Sequence, residues 1–233
     1  MRTIFVLINF LFLLSFLISC ALAYTPNIVN VPLFSSKGEM QAVIGTGTSG
    51  VDPQLAYAIT DHIGVMANAS FANRRDSANF HKHSFAEAGA GYTLAFGKSG
   101  RFEVFGGGGM GSIDAKYHSG IFDGRSKATF NRFFIQPSIG KASDIFDCAF
   151  TSRLVFLSMH NDNDSLKTNS MDMFIEPTFT AKVGWKYIKM MFQVGLSLPL
   201  KEIKNYGNQP FMFSIGLVGK IPGKSASQQH KVE

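Results

Sequence analysis

The sequence predicts an all-β protein whose strands form an antiparallel, up-and-down β-barrel that spans a membrane. Residues 187–200 alternate between apolar and polar side chains, and this run exceeds the roughly 9–11 residues that a membrane-crossing strand needs. Similar alternation recurs along the chain, with tight turns and longer connections following each other. The chain contains 23 Gly, 23 Phe and only 16% charged residues, and its mean hydropathy is +0.10, as expected when apolar and polar positions average out.

The N-terminus predicts export from the cytoplasm. Arg2 precedes an apolar run over residues 4–18 that is too short and wrongly flanked for a spanning helix, so it is typical of a secretory signal. Residues 17–20 (LISC) resemble a bacterial lipobox, which would end the signal at residue 19 and leave a lipidated Cys20 as the first residue. Residues 21–23 (ALA) offer an ordinary cleavage site instead, which would leave Tyr24 first.

After the signal we expect an irregular lead-in over residues 20–38, a barrel over residues 39–221 and a polar tail over residues 222–233. Alternation predicts ten strands, although eight would also suit the pattern. They cover residues 39–46, 54–59, 63–72, 83–96, 101–112, 127–140, 145–159, 171–184, 187–200 and 211–220.

Each strand is justified by its own apolar row. In chain order these rows are Met40, Ala42 and Ile44; Leu55, Tyr57 and Ile59; Ile63, Val65, Ala67, Ala69 and Phe71; Ala86, Ala88, Ala90, Tyr92, Leu94 and Phe96; Phe102, Val104 and Met110; Phe133, Ile135, Pro137 and Ile139; Phe146, Cys148, Phe150, Leu154 and Phe156; Met173, Ile175, Pro177, Phe179, Ala181 and Val183; Ile188, Met190, Phe192, Val194, Leu196 and Leu198; and Phe211, Phe213, Ile215 and Leu217.

The connections alternate in length, as they do in outer-membrane barrels. Tight turns follow the even strands, at residues 60–62, 97–100, 141–144 and 185–186, and longer loops follow the odd strands, at residues 49–53, 73–82, 114–126, 161–170 and 201–208. An even strand number then places both chain ends at the short-turn, periplasmic end. A lipid on Cys20 would reach the inner leaflet of the outer membrane through the lead-in.

A polar row lies opposite the apolar row and carries five acids and five bases. We expect these charges to neutralise one another inside the lumen, because an unpaired charge in a confined interior is costly. Phe85, Phe105, Phe134 and Phe174 share this row, so the lumen is expected to be plugged rather than open. The charges are Glu39, Glu87, Arg101, Glu103, Arg132, Asp147, Arg153, Glu176, Lys182 and Lys189.

Several segments resemble a largely uncharacterised family of small outer-membrane β-barrel proteins from Bacteroidota-type bacteria, many of which begin with a lipoprotein signal. The likeness covers roughly residues 30–217, and it implies a location and a fold but no catalytic residues. Many outer-membrane barrels end on an aromatic residue that the assembly machinery reads, whereas this chain continues past Lys220. The segments are NVPLFSSKGEMQ, QLAYAITDHIGVMANASF, GRFEVFGGGGMG, FNRFFIQPSIGKASDIFD, IEPTFTAKVGWK and PFMFSIGL.

The remaining candidates for chemistry are four histidines and an acidic segment near the long loops. His81, His83, His118 and His160 fall near the long loops, where the first two could share a metal ion and residues 160–164 (HNDND) could bind Ca²⁺ or form an acid–base dyad. No nucleophile motif accompanies them, so we predict no catalytic residue, metal or cofactor.

Four further features have structural explanations. Asp61-His62 is expected to cap a turn, and Cys148 to act as a small hydrophobe. The glycines at residues 106–109 lack a following Gly-Lys-Ser/Thr, so they predict a bend or close approach rather than a phosphate loop. Lys and Arg are scattered although the net charge is +6, which argues against nucleic-acid binding.

The sequence therefore predicts a monomeric, non-enzymatic outer-membrane barrel lipoprotein with a structural, surface-interaction or small-solute role. Its expected partners are outer-membrane lipids and the barrel-assembly machinery. Two alternatives stay open: an outer-membrane enzyme that modifies lipid A or cleaves proteins with loop-side His and Asp, and a soluble lipid-binding barrel with its apolar row inside.

Overall fold

The computed structural model of the chain describes residues 22–75, 79–119, 122–163, 166–203 and 206–223. Among these residues, no helix has both the length and the apolar character needed to cross a membrane. The described strands are β1 (Leu22–Tyr24), β2 (Met40–Gly47), β3 (Gly50–Ala58), β4 (Ile63–Arg75), β5 (Phe80–Phe96), β6 (Gly100–Ser119), β7 (Phe122–Lys141), β8 (Phe146–Asn163), β9 (Leu166–Gly184), β10 (Ile188–Leu196), β11 (Leu198–Pro199), β12 (Gly207–Asn208) and β13 (Phe211–Ile221).

The predicted fold class is confirmed. The strands form a closed, antiparallel barrel with ten strand positions, which we call staves. Strands β2 to β9 pair with their sequence neighbours, β10 pairs with both β9 and β13, and β13 pairs back onto β2, which closes the ring. Strands β10 and β11 together form the ninth stave and are separated by Ser197. Closure gives each of the ten described staves two paired neighbours, as a sheet in lipid requires.

Strand lengths differ from the predicted ones mainly at the long-loop end. The predicted loop over residues 49–53 is wrong, because β3 already begins at Gly50. The predicted loops over residues 73–82, 114–126 and 161–170 are also largely strand, since β4 to β9 continue as long hairpins there. The described outward residues of these hairpins are polar, and buried apolar residues such as Ile113, Ala115 and Ala128 face inward on β6 and β7. The apolar-out alternation of the belt therefore ends there, although the backbones remain paired across the sheet.

The barrel has the reverse polarity of a soluble protein. Its interior holds buried charged side chains, whereas large apolar side chains such as Phe133 (66% exposed) and Ile135 (50% exposed) point outward. Outward apolar residues occur on every stave from β2 to β13, which far exceeds the small apolar patches of soluble monomers. An apolar belt around a polar interior is the arrangement that a bilayer requires.

The belt ends at a row of charges on the outer face of four neighbouring strands. Lys82, Asp114 and Lys127 lie at one register level across β5 to β7, and Asp162 of β8 follows Asn161, the partner of Ala128, so the charges alternate in sign. The next level toward the belt carries hydroxyl, imidazole and amide groups: Ser84, Ser112, Thr129, His160 and Asn169. This gradient marks a boundary between hydrocarbon and water near the long-loop end.

The apolar belt makes the free-energy cost of a charge on the outer face depend on how deep in the bilayer that charge lies. We expect Ile135→Arg to lower the free energy of unfolding in lipid vesicles by about 2–4 kcal/mol, because its guanidinium would lie in hydrocarbon. Ser84→Arg, on the outer face beyond the belt, should cost only about 0–1 kcal/mol. Urea titration of both variants measures the difference, and equal costs would contradict the proposed position of the belt.

Candidate functional site: the lumen and the segment that fills it

The segment that precedes β2 runs through the barrel from one end to the other. At the long-loop end, β1 pairs with β12, and the amide of Gln209 donates to the carbonyl of Tyr24 (2.9 Å). At the short-turn end, the Lys37 amide donates to Asp61 Oδ1 (2.8 Å), in the turn between β3 and β4. We call residues 24–37 the plug. The lead-in was expected to be irregular, and its position in the lumen was not predicted.

Lumen side chains bind the main chain of the plug along most of its length. Five plug amides donate to oxygens of lumen side chains, and six plug carbonyls accept from lumen side chains. The amides are those of Ile28 (to Asp52), Val29 (to Gln193), Leu33 and Phe34 (both to Glu103) and Ser35 (to Glu39). The carbonyls are those of Asn27 (from Arg153), Ile28 (from Gln54), Val29 (from Gln193), Asn30 (from Gln136), Val31 (from Lys182) and Pro32 (from Gln41).

A buried charge cluster surrounds the side chain of Asn27 in the middle of the barrel. Arg132 pairs with Glu87, and Arg153 pairs with Glu176 at 2.6 Å (Nη2 to Oε2). The Asn27 amide oxygen accepts from Arg132 (2.7 Å) and Arg153 (3.1 Å), and its nitrogen donates to Glu87 (3.1 Å). The neutral Asn27 side chain therefore provides hydrogen-bond partners to guanidinium and carboxylate groups that the two ion pairs do not fully satisfy.

Tyr24 joins the same cluster from the long-loop side. Its hydroxyl donates to Glu176 (3.0 Å) and accepts from Arg132 (3.2 Å), and its ring lies 4.7 Å from that of Phe174 between centroids. Tyr24 is 1% exposed, so the plug is held by burial as well as by polar contacts at this end.

The ten predicted lumen charges all lie buried inside the barrel, but they do not simply neutralise one another. Beyond the central cluster, Lys189 pairs with Asp147 at 2.7 Å (Nζ to Oδ1). Glu39 pairs at 2.8 Å with Lys220, a base that is not among the ten predicted charges. The other three contact the plug: Glu103 and Lys182 bind its main chain, and Arg101 donates to Ser35 Oγ (3.1 Å).

Two structural details show how closely the lumen fits the plug. A Cβ atom at Gly45 would lie 2.5 Å from Ile28 Cδ1, and one at Gly64 would lie 2.5 Å from Phe34 Cε2, so a larger residue at either inward position would displace a plug side chain. Leu33 has a φ of 55°, in the left-handed region that non-glycine residues rarely adopt. Its amide and that of Phe34 thereby converge on the Glu103 carboxylate.

Glycine also allows close packing elsewhere in the wall, as predicted for residues 106–109. A Cβ atom at Gly107 would lie 2.9 Å from Phe134 Cε1. Of the four predicted lumen phenylalanines, Phe105 packs against Phe34 of the plug (6.4 Å between ring centroids). Phe85 stacks on Phe130 and lies 4.3 Å from the Arg132 guanidinium. Aromatic rings and charges thus fill the lumen together with the plug.

Asp52 is a lumen residue that sequence reasoning missed. It is fully buried and accepts hydrogen bonds from the Ile28 amide (2.8 Å) and Ser49 Oγ (2.5 Å). It was missed because residues 49–53 were assigned to a loop. The plug residues gave a weak signal, a short apolar run with Asn27 and Asn30 between two prolines, whose partners are distant in sequence.

The candidate histidines do not form one site. His81 Nε2 lies 2.8 Å from His83 Nδ1, and His83 Nε2 lies 3.0 Å from Ser70 Oγ, all on the lumen side. His160 lies on the outer face and contacts Asn169. His118 falls in β6, where its side chain is not among those described, and Asp164 lies outside the described residues. Within the described part of the chain, no group of three or more His, Cys, Asp and Glu side chains is placed to hold a metal ion.

The remaining predicted features lie elsewhere. Thr60 caps the first short turn, because its Oγ1 accepts from the amides of His62 and Ile63. The cap predicted at Asp61-His62 is therefore wrong, and Asp61 instead holds the end of the plug. Cys148 is a half-buried free thiol on the outer row. Cys20, the predicted lipidation site, lies outside the described residues.

Comparisons with known proteins give similarity of structure only. No protein-family model and no curated protein matches the chain. The translocator domain of the autotransporter NalP from Neisseria meningitidis matches with a TM-score of 0.45 and 12% identity, over 78% of this chain and 85% of that domain. The N-terminal barrel domain of Pseudomonas aeruginosa OprF (TM-score 0.36, 10% identity, 80% and 100%) and the KdgM porin (0.32, 11%, 78% and 98%) also match.

None of these TM-scores reaches 0.5, so the fold assignment rests on the strand pairing itself. The resemblance to a family of Bacteroidota-type barrels stays a prediction.

Asn27 offers a test of how much the plug contributes to stability. Asn27→Ala leaves two guanidinium groups and one carboxylate with fewer partners, so we expect a loss of about 3 kcal/mol in the free energy of unfolding. The matched control is Asn131→Ala, on the exposed outer face, which should change stability by less than about 0.5 kcal/mol. Urea unfolding in vesicles measures both, and equal effects would show that the central cluster does not depend on the plug.

Proposed function

We propose that this chain is an outer-membrane β-barrel lipoprotein that keeps its own N-terminal segment in its lumen and has a structural or surface-interaction role rather than an enzymatic one. The observation that carries the proposal is the combination of an apolar outer belt with a lumen whose polar groups bind the plug. A barrel that passes solutes freely needs an open water-filled path, whereas here the plug fills the space between charged and aromatic side chains.

The apolar belt and the turn lengths support the proposed location. Short turns at one end and long hairpins at the other are typical of outer-membrane barrels, with the short turns on the periplasmic side. A soluble lipid-binding barrel requires the opposite polarity, with an apolar cavity inside and polar residues outside. The expected partners are therefore outer-membrane lipids around the belt and the assembly machinery during insertion, and the closed ring needs no second copy.

A small-solute role is compatible with this proposal only if the plug moves. The plug is held by eleven main-chain hydrogen bonds from lumen side chains, five through its amides and six through its carbonyls. Displacing it would leave Glu103 and Lys182 in the lumen without these contacts. We therefore propose that the resting barrel is closed and that its surface, rather than a pore, performs its function.

An enzymatic role is the second candidate, and one observation favours it. Ser70, His83 and His81 form a hydrogen-bonded chain in the order of a nucleophile, a base and an orienting group. Ser70 is only 1% exposed, so a substrate could not reach it without a rearrangement of the lumen. His160 lies on the outer face of the wall, apart from these three side chains.

The closed lumen predicts very low conductance. In planar bilayers the native protein should show currents near zero, because the plug occupies the lumen. The double variant Glu103→Ala/Lys182→Ala removes three main-chain contacts to the plug, so transient openings should appear. Asn131→Ala, on the outer face, serves as the matched control and should stay closed. Large, steady current steps from the native protein would contradict the proposal.

Membrane insertion and lipidation can be tested in cells. The protein should stay with outer membranes after carbonate and after high salt, and its gel migration should change on heating. Extraction by either treatment would rule out a spanning barrel. Cys20→Ala should abolish labelling by a palmitate analogue, whereas Cys148→Ala should retain it. Labelling that survives Cys20→Ala would show that the lipobox is not used.

The enzymatic candidate makes a separate prediction. If Ser70, His83 and His81 act together, Ser70→Ala and His81→Ala should alter the lipid A or the proteolytic products of the cell. His160→Ala, on the outer face, tests whether a loop-side histidine acts instead. Mass spectra identical to those of the native strain for all three variants would count against an enzymatic role.

A further inference from the structure

We propose that the lumen carries the N-terminal end of the chain to the outer surface, so that a lipid on Cys20 would enter the outer leaflet and not the inner one. This inference rests on the proposed outer-membrane orientation, with the short turns in the periplasm. It differs from the expectation that both chain ends lie at the short-turn end. The C-terminal strand does end there, since Ile221 pairs with Met40, but Leu22 and Tyr24 pair with Gly207 and Asn208 at the opposite end.

The direction of the plug follows from its contacts at both ends. The plug leads into β2, whose first residue, Met40, pairs with Tyr57 beside the first short turn. The amide of Gly38 donates to the carbonyl of Ala58 (2.8 Å) at the same end. At the other end, Leu22 and Tyr24 pair with Gly207 and Asn208, which connect β11 to β13 at the long-loop side.

The length of the plug agrees with a full crossing. From Tyr24 to Gly38 the chain advances by fourteen residues, which in extended form span at most about 46–50 Å. A bilayer including its headgroup regions is about 40–45 Å thick. Even short of full extension, the plug is therefore long enough to cross the hydrocarbon core, which is about 30 Å thick.

The same arithmetic excludes an inner-leaflet anchor at Cys20. Cys20 lies only four positions before Tyr24, and four residues reach roughly 14 Å at most. The hydrocarbon core alone is about 30 Å thick. The chain cannot return through the lumen either, because the plug itself fills it. A lipidated Cys20 therefore has only the long-loop face, and the outer leaflet beside it, within reach.

The lumen is suited to hold such a segment permanently rather than to let it slide. Main-chain groups from Asn27 to Ser35 are bound from several different staves, including β2, β3, β6, β7, β8, β9 and β10. The side chains of Tyr24 and Asn27 then fix the register through the central charge cluster. The barrel thus holds the plug in a defined position.

Surface labelling of the full-length protein tests the inference. A short epitope is inserted between Ala21 and Leu22, and a second protein carries the same epitope after Glu233. Antibody binding is compared on intact and permeabilised cells. We expect the N-terminal epitope to give the same signal in both, and the C-terminal epitope to be reached only after permeabilisation. Heat-modifiable migration of each protein shows that the barrel has assembled, and Ala21→Cys provides a smaller probe if the insertion prevents assembly.

Two single-cysteine variants in a Cys148→Ala background separate this inference from the orientation on which it rests. Glu202→Cys reports the long-loop side, and Lys186→Cys reports a short turn, with a membrane-impermeant maleimide as the probe. If Glu202→Cys alone is labelled on intact cells but the N-terminal probe is not, the inference is overturned and the orientation stands. Labelling of Lys186→Cys alone overturns the orientation itself. A mature chain that begins at Tyr24 also overturns the inference, because no lipidated end remains to emerge.

Discussion

The hydrogen bonds between lumen side chains and the main chain of the plug are the interaction on which the rest of this structure depends. A polar interior surrounded by an apolar exterior is stable only if its charges and amides find partners without bulk water. The wall supplies some of these partners itself, as in the Arg153–Glu176 pair. Glu103 and Lys182 find theirs on the plug. The plug thus supplies hydrogen-bond partners to the barrel's interior that the wall alone does not provide.

This dependence links the outer and inner faces of the barrel. Large apolar side chains cover the outside, so the polar half of every strand has to face inward. A ten-stranded ring leaves more interior than its own inward side chains fill, and an extended segment occupies the remainder. Its apolar residues, such as Ile28 and Phe34, fit where Gly45 and Gly64 leave space, and its main chain meets the polar groups. A soluble barrel with the same topology would have no need for this arrangement.

Most of the barrel wall was predictable because the alternation of side chains within a strand indicates which of its faces meets the apolar surroundings. Alternation over residues 187–200 requires no knowledge of neighbouring strands, and the turn lengths indicate the strand order in an up-and-down sheet. The long hairpins beyond the belt were not predictable, because their outward residues are polar and the apolar-out alternation that marks the belt ends there. Asp52 was missed for a related reason, since Pro53 and the nearby glycines suggested a loop although the backbone there is paired in β3.

By itself, the sequence determined the fold class, the outward apolar row and the identity of ten buried lumen charges, because a repeating two-residue pattern is local. Only the tertiary structure decided what those charges bind and where the N-terminal segment lies. The contacts of Asn27 with Glu87, Arg132 and Arg153 join residues that are between 60 and 126 positions apart, and such contacts leave no periodic signal. The physical reason is that an extended segment bound by side chains from many strands has no cross-strand partner whose pattern would reveal it.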